Sequence, residues 1–372
     1  MSRGIRERWI AAKMGNRENN RTVLLVVGSL SAGGAERVTV DLYDYLLNRG
    51  WDAHLFVAYW GNSKTRIYLP RHTENMHYVR TIANTTILSF LNLVFLKRLI
   101  GIIHPDWVVS LGASYRLISA SGAFCKCKVL LSERNWPIAY YSAAEMERVE
   151  QFYKNATAVV FQTSDAKGCF GKEVQRKSVV IPNPVSGNLP VWEGRESKQI
   201  IYYGRLDAQK RPEMALNAFE IFAKAHPGFT LEFYGIGSQE PSLRIAANNK
   251  GLSESVFFHA PSKLIHSIAS KSRMYLNSSD YEGISNAMLE ALSMGIPCIC
   301  TDCGGGGARL AIDNGTNGFL VPCDDERAMA RAMGELVRNP SIAEQLSKNA
   351  ISSMKRFSKD SVMPKWEEVL RA

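Results

Sequence analysis

Short apolar runs separated by glycine turns and amphipathic stretches recur along the whole chain, and this alternation constrains the fold more than any other feature. Val23–Val27 is five apolar residues in a row, the pattern of a strand buried on both faces. A turn holding Gly28, Gly33 and Gly34 follows. Val38, Leu42 and Leu46 then share one face of a helix over Glu36–Leu47, which Asn48, Arg49 and Gly50 stop. Further strands are expected at Ala53–Ala58, Trp107–Ser110, Val129–Leu131, Ala158–Gln162 and Val179–Ile181, with a helix at Met146–Tyr153. The pattern then resumes with strands Gln199–Tyr203, Thr230–Tyr234, Val256–Phe258, Met274–Asn277 and Pro297–Thr301. Helices Pro212–Ala225, Pro241–Asn249, Ala287–Met294 and Glu326–Val337 fall between and after them. Such alternation is the signature of parallel sheets covered by helices.

At 372 residues the chain is too long for one such unit and suits two. The expected organisation is a basic tail over 1–21, a first α/β domain over 22–186, a polar linker with glycine and proline over 187–198, and a second α/β domain over 199–357. A final helix over 358–372 carries Trp366 and Leu370 on one face, suited to crossing back to the first domain. The fold class is therefore α/β, with two Rossmann-like domains facing each other across a cleft.

Charge and cysteine usage narrow the function. Lys and Arg outnumber Asp and Glu by 45 to 35, a net charge of +10, which suits phosphorylated ligands or an anionic membrane surface. No RNA-binding signature, zinc finger or basic-region helix is present, so nucleic acid is not an expected partner. Seven cysteines, an odd count, argue against a disulfide framework and fit a reducing compartment, hence a cytoplasmic protein. The basic N-terminus is not followed by an apolar stretch, so it does not read as a secretory signal. Ile87–Ile103 is apolar but broken by Lys97 and Arg98; it reads as a helix packed on the first sheet, with a membrane-facing role as the second reading.

In open parallel sheets ligands bind beyond the carboxyl ends of the strands, so the turns after strands hold the candidate site. Gly33, Gly34, Ala35 and Glu36 open a helix after the first strand, where glycine lets a backbone approach a ligand and the helix start offers free N–H groups. The turn is not the Gly-x-Gly-x-x-Gly dinucleotide fingerprint, so it does not support a nicotinamide cofactor. Arg205 and Lys210, five residues apart after strand Gln199–Tyr203, suit a diphosphate clamp. The segment from Glu282 to Glu290 follows strand Met274–Asn277. Its Gly283, Ile284, Ser285 and Asn286 offer helix-start amides for phosphate or sugar oxygens, and its carboxylates accept hydrogen bonds from vicinal hydroxyls. No Asp-x-Asp metal motif is present, and no cofactor is expected.

In combination these loops resemble the retaining GT-B glycosyltransferases of family four, the group 1 transferases. The matching stretches are Gly33–Val38, Ser132–Asn135, Phe161–Thr163, Ile181–Pro184, Gly204–Leu206, Glu282–Glu290, Thr301–Cys303 with its glycines, and Asn317–Pro322. The resemblance covers about residues 22–370. It implies transfer of a hexosyl or N-acetylhexosaminyl group from a nucleotide-diphosphate sugar, UDP-linked by preference, to a glycan or lipid-linked acceptor of surface-polysaccharide biosynthesis. It further implies that Glu282 meets the donor sugar and Glu290 the ribose hydroxyls. Arg205 and Lys210 would neutralise the leaving diphosphate without a metal, and Gly34 and the amides of Gly283 to Asn286 would cradle oxygens. Glu133, Arg134 and Asn135 fall in the acceptor-side loop, where many relatives carry a histidine. Ser285 stands where a proline is common, and Gly304 and Gly305 make a smaller turn than the prolines of close relatives, leaving it looser. Other readings are an epimerase of the same fold and a non-catalytic partner subunit. The basic surface suits peripheral contact with the inner face of an anionic membrane.

Overall fold

The computed structural model describes residues 21–31, 33–62, 66–80, 84–112, 114–185 and 187–372. The basic tail over 1–20 lies outside them. Two all-parallel sheets form. The first contains β1 (Thr22–Val27), β2 (Asp52–Val57), β3 (Met76–Tyr78), β4 (Trp107–Leu111), β5 (Lys128–Glu133), β6 (Ala158–Phe161) and β7 (Ser178–Val180), in the spatial order β3-β2-β1-β4-β5-β6-β7. The second contains β8 (Gln199–Tyr203), β9 (Thr230–Tyr234), β10 (Val256–His259), β11 (Met274–Asn277), β12 (Cys298–Thr301) and β13 (Phe319–Val321), in the order β10-β9-β8-β11-β12-β13. The two orders are the same winding. In each the direction of winding reverses between the first strand and the fourth, β1 beside β4 and β8 beside β11, which opens a crevice at the strands' carboxyl ends.

The helices that matter for the site are α1 (Gly34–Asn48), α2 (Thr85–Ile103), α3 (Pro212–Ala225), α4 (Asn286–Met294), α5 (Glu326–Arg338), α6 (Pro340–Met354) and α7 (Lys359–Arg371). Helix α1 forms as its spacing predicts and buries Val38, Leu42 and Leu46 against β1 and β2. Its chain then turns at Gly50, where φ is +81° and the Trp51 amide returns to the Leu46 carbonyl at 3.0 Å. Helix α6 and the three-residue edge strands β3 and β13 are additions to the sequence reading. Pro340 at the helix start and Ala343, Leu346, Ala350 and Met354 at helical spacing are the signal for α6.

The polar stretch 187–198 is anchored to the second half of the molecule. Trp192 is buried in that core, and its indole N–H donates to the Ser272 carbonyl at 2.9 Å. Helix α7 returns to the first sheet, where Val362, Met363, Trp366 and Leu370 join the cluster under β1, β2 and β4. Glu367 pins this return. It accepts from Tyr45 (2.9 Å), Trp51 (3.2 Å) and Arg49 (3.3 Å), all in or after α1, and from Arg371 (2.6 Å). Burial pushes its carboxyl pKa up, but the hydrogen bonds from Arg371, Trp51 and Tyr45 outweigh burial and hold it at about 2.

Candidate active site

The second sheet's reversal point carries the densest charge. Gly204 leaves β8 at φ +152°, and the loop that follows is stitched to the loop after β11. The Ser278 hydroxyl donates to the Arg211 carbonyl (2.8 Å) and lies 3.1 Å from that of Lys210, while the Gln209 amide donates to the Tyr281 carbonyl at 3.0 Å. Asp207 accepts from the Lys210 amide at 3.2 Å and so sets the turn. These ties bring Lys210 onto Glu282, and the two side chains form an ion pair while nearly buried. Ser279 donates to the same Glu282 oxygen at 3.0 Å. Arg205 lies apart from Lys210. It is 64% exposed and bonded to Asp207 (2.8 Å) and Gln209 (2.9 Å). The two cations read as one clamp are therefore a lysine held beside a carboxylate and an exposed arginine bonded to Asp207 and Gln209.

Helix α4 starts beside this pair. Ser285 caps it by accepting the Met288 amide at 3.4 Å, as a serine at a helix start should. One turn further in, Glu290 is buried, with Arg37 of α1 on one carboxylate oxygen and His266 on the other at 3.0 Å. Burial raises the Glu290 pKa, yet His266 and Arg37 more than offset this and leave it below the usual carboxylate range. Arg37 also donates to the Pro184 carbonyl at 3.1 Å, so the carboxylate is gripped by the first half of the molecule.

The two sheets face each other through this region. Gln162, following β6, accepts the Ile284 amide at 3.0 Å and donates to Asn183 at 2.7 Å. Asn183 donates to Asn286 at 2.8 Å and accepts from Arg134. Gly283 has no room for a side chain, because a Cβ would overlap the Gln162 amide and the Arg134 carbonyl. Gly34 stands beside the Asn286 amide, which a Cβ there would meet at 2.8 Å. Gly34, Gly283, Ile284, Ser285 and Asn286 lie together at the start of α4, and the Ile284 N–H is engaged by Gln162.

The loop after β5 departs from its reading. Glu133 turns inward and is buried. One of its oxygens accepts the amides of Arg134 (2.9 Å) and Asn135 (3.0 Å), the other the hydroxyls of Tyr141 and Tyr153 (both 2.9 Å). Burial outweighs these four donors and raises its pKa. Its side chain therefore shapes the loop from behind. The Arg134 guanidinium is enclosed, and burial lowers its pKa to about 9. The turn at Gly304 is not loose: the Trp136 ring lies where a side chain at 304 would stand. Glycine fits there because the Trp136 ring takes the space a side chain would need.

Arg37, Gln162, Asn183 and His266 were not singled out by the sequence reading. The first three lie within stretches that carried the resemblance, which was the available signal; His266 had none. Two parallel sheets of this winding, meeting at their carboxyl edges with charged loops between, define the GT-B architecture of nucleotide-sugar transferases. Residues 193–353 match the family described as "Glycosyl transferases group 1". It is 30% identical over 200 residues to an exopolysaccharide phosphotransferase, SCO2592, of Streptomyces coelicolor, a match spanning 54% of this chain and only 21% of that protein. It is 23% identical over 359 residues to the N-acetylgalactosamine-N,N'-diacetylbacillosaminyl-diphospho-undecaprenol 4-alpha-N-acetylgalactosaminyltransferase of Campylobacter jejuni, covering 90% of this chain and 95% of that one. The fold superposes on Anabaena Alr3699/HepE in complex with UDP-glucose with a TM-score of 0.80 at 17% identity, over 94% and 99% of the two chains.

Proposed function

We propose that this glycosyltransferase moves a hexosyl or N-acetylhexosaminyl group from a UDP-sugar to a glycan or lipid-linked acceptor, with retention at the anomeric carbon. The work belongs to surface-polysaccharide biosynthesis on the cytoplasmic side of the membrane. The observation that carries the proposal is the Lys210–Glu282 pair at the second sheet's reversal point, in the loop that leads into the helix holding Glu290. The names of the Campylobacter relative, which includes a diphospho-undecaprenol acceptor, and of the HepE complex support the acceptor and donor classes.

In the proposed reaction the bond between the anomeric carbon and the β-phosphate oxygen breaks on the face where the acceptor hydroxyl arrives. The new carbon–oxygen bond forms on that same face, and the hydroxyl proton passes to the departing phosphate oxygen. Lys210 meets the charge that grows on the diphosphate, and Arg205 swings in from the rim; these cations take the part a metal would play. Glu282 holds Lys210 and accepts from a donor-sugar hydroxyl. Glu290 accepts from the ribose diol after exchanging Arg37 for it.

Calorimetric titration tests the ribose assignment. UDP binds the native chain, and Glu290→Ala weakens it by roughly 10- to 100-fold, the loss of a hydrogen bond to a charged group. GDP in place of UDP would move the donor to a guanosine sugar. Equal binding of UDP by the native and Glu290→Ala chains would remove Glu290 from the nucleotide site.

A further inference from the structure

Helix α2 has two apolar faces and only one partner. Leu88, Asn92, Leu96, Leu99 and Ile100 are buried, and the inward side is fixed by Phe95 against Phe56 of β2 and by the Asn92 amide donating to the Ala58 carbonyl at 2.7 Å. On the opposite side Ile87, Phe90, Leu91, Val94 and Ile102 are exposed, Phe90 by 64%. Their spacing of three, four and seven residues makes one continuous stripe. A soluble helix of this kind normally turns charge outward. Here no carboxylate occurs between Glu74 and Asp106, while Arg80, Lys97 and Arg98 are all exposed.

Length alone would let the 19-residue α2 cross a bilayer. Its inward contacts with β2 forbid that, because the sheet would have to follow it. A helix held along one side, apolar on the other and flanked by cations lies in the membrane interface instead. Its placement bears on the reaction. Because α2 leads into β4, it runs opposite to the strands, and Asn92 meets Ala58 just past the end of β2. The exposed N-terminal half of α2 therefore sits at the carboxyl edge of the first sheet, where Gly34 and Arg37 face the cleft. Tyr59 and Tyr78, which follow β2 and end β3, are exposed at the same edge.

We propose that the outer face of α2 docks on an anionic lipid bilayer, with Ile87, Phe90, Leu91 and Val94 among the acyl chains and Lys97 and Arg98 at the headgroups. The acceptor side of the cleft then opens at the membrane surface. This inference rests on the proposed lipid-linked acceptor. Charge complementarity selects the partner: cations beside an acid-free apolar stripe match anionic headgroups over acyl chains.

Sedimentation of the full chain with vesicles tests it. Vesicles with about a third phosphatidylglycerol should take up the chain, and pure phosphatidylcholine vesicles should take up at least about tenfold less. Phe90→Ser with Val94→Ser should cut binding to the anionic vesicles by about tenfold or more. Lys97→Glu with Arg98→Glu should remove the preference for anionic lipid. All four side chains are exposed, so melting temperature and UDP affinity should stay at native values in both variants. Equal binding by native and Phe90/Val94 variant chains would overturn the proposal, as would no uptake by anionic vesicles. A native dimer that the Phe90/Val94 variant dissolves, without vesicle binding, would assign the stripe to a second copy and also overturn it. Failure of docking is separable from failure of the proposed reaction. A chain that binds UDP and glycosylates a short-chain acceptor but ignores vesicles loses only the docking surface; one that binds vesicles but no nucleotide loses the transferase reading.

Discussion

Lys210→Ala lowers the turnover rate by about 10²- to 10³-fold, the size of effect seen when one donor to a developing oxyanion is removed. The ammonium is held against Glu282, itself fixed by Ser279, so it is positioned before substrate arrives and needs no reorganisation as charge appears. Cleavage adds a negative charge to the diphosphate, so the lysine is worth more to the transition state and to UDP than to the intact donor. The variant should accordingly lose more affinity for UDP than for the UDP-sugar. Steady-state rates with a water-soluble acceptor, together with both affinities, check this. A variant that keeps half the native rate would take Lys210 out of the chemistry. Arg205→Ala should cost less, because that side chain is exposed and must be recruited from Asp207 and Gln209.

Trp366→Ala destabilises the chain by about 3–5 kcal/mol, the usual range for emptying a buried tryptophan site. That corresponds to a fall in melting temperature on the order of 10 °C. Trp366 has no exposed surface and is the largest fully buried side chain in the molecule's described residues. It sits in the core of the first sheet although its helix follows the second, so it closes the chain back on itself. The Arg134 guanidinium stands 5.9 Å from its ring centroid, and the cavity left by alanine therefore opens beneath the loop that meets Gly283. The variant should lose turnover at temperatures well below its own melting point. A shift of under 2 °C by calorimetry would mean that Glu367 and its four partners hold α7 without the indole.

Much of the fold is legible because local patterns agree with it. The apolar runs of β1 and β8 name buried parallel strands, and Val38, Leu42 and Leu46 name the inner face of α1. Trp366 and Leu370 mark a helix that needs a core other than its neighbour's. Helix α6 was legible too, from Pro340 and the Ala343–Leu346–Ala350 spacing, but was not read. The site was legible where one loop contains it. Ser285, Glu282 and Glu290 lie in a single segment, and the lysine that pairs with Glu282 follows the next strand over. Contacts formed across the cleft were not legible. Arg37 and Glu290 are 253 residues apart and Gln162 and Ile284 are 122 apart, and no period or turn signal reports such a meeting. The inward turn of Glu133 is of the same kind, since it depends on Tyr141 and Tyr153 standing behind the loop. In the sequence Gly283 reads as a helix-start amide and Gly304 as a loose turn. In the fold each is a place where the other domain comes too close for a side chain.

The stereochemistry of the product tests the central claim most directly. Proton NMR of a reaction containing the chain, a UDP-sugar, an acceptor and excess chelator should show the product's anomeric proton with the coupling of the donor's own configuration, alongside stoichiometric UDP. An inverted anomer would contradict the same-face mechanism. Loss of turnover in chelator, restored by manganese, would contradict the assignment of the diphosphate's charge to Lys210 and Arg205.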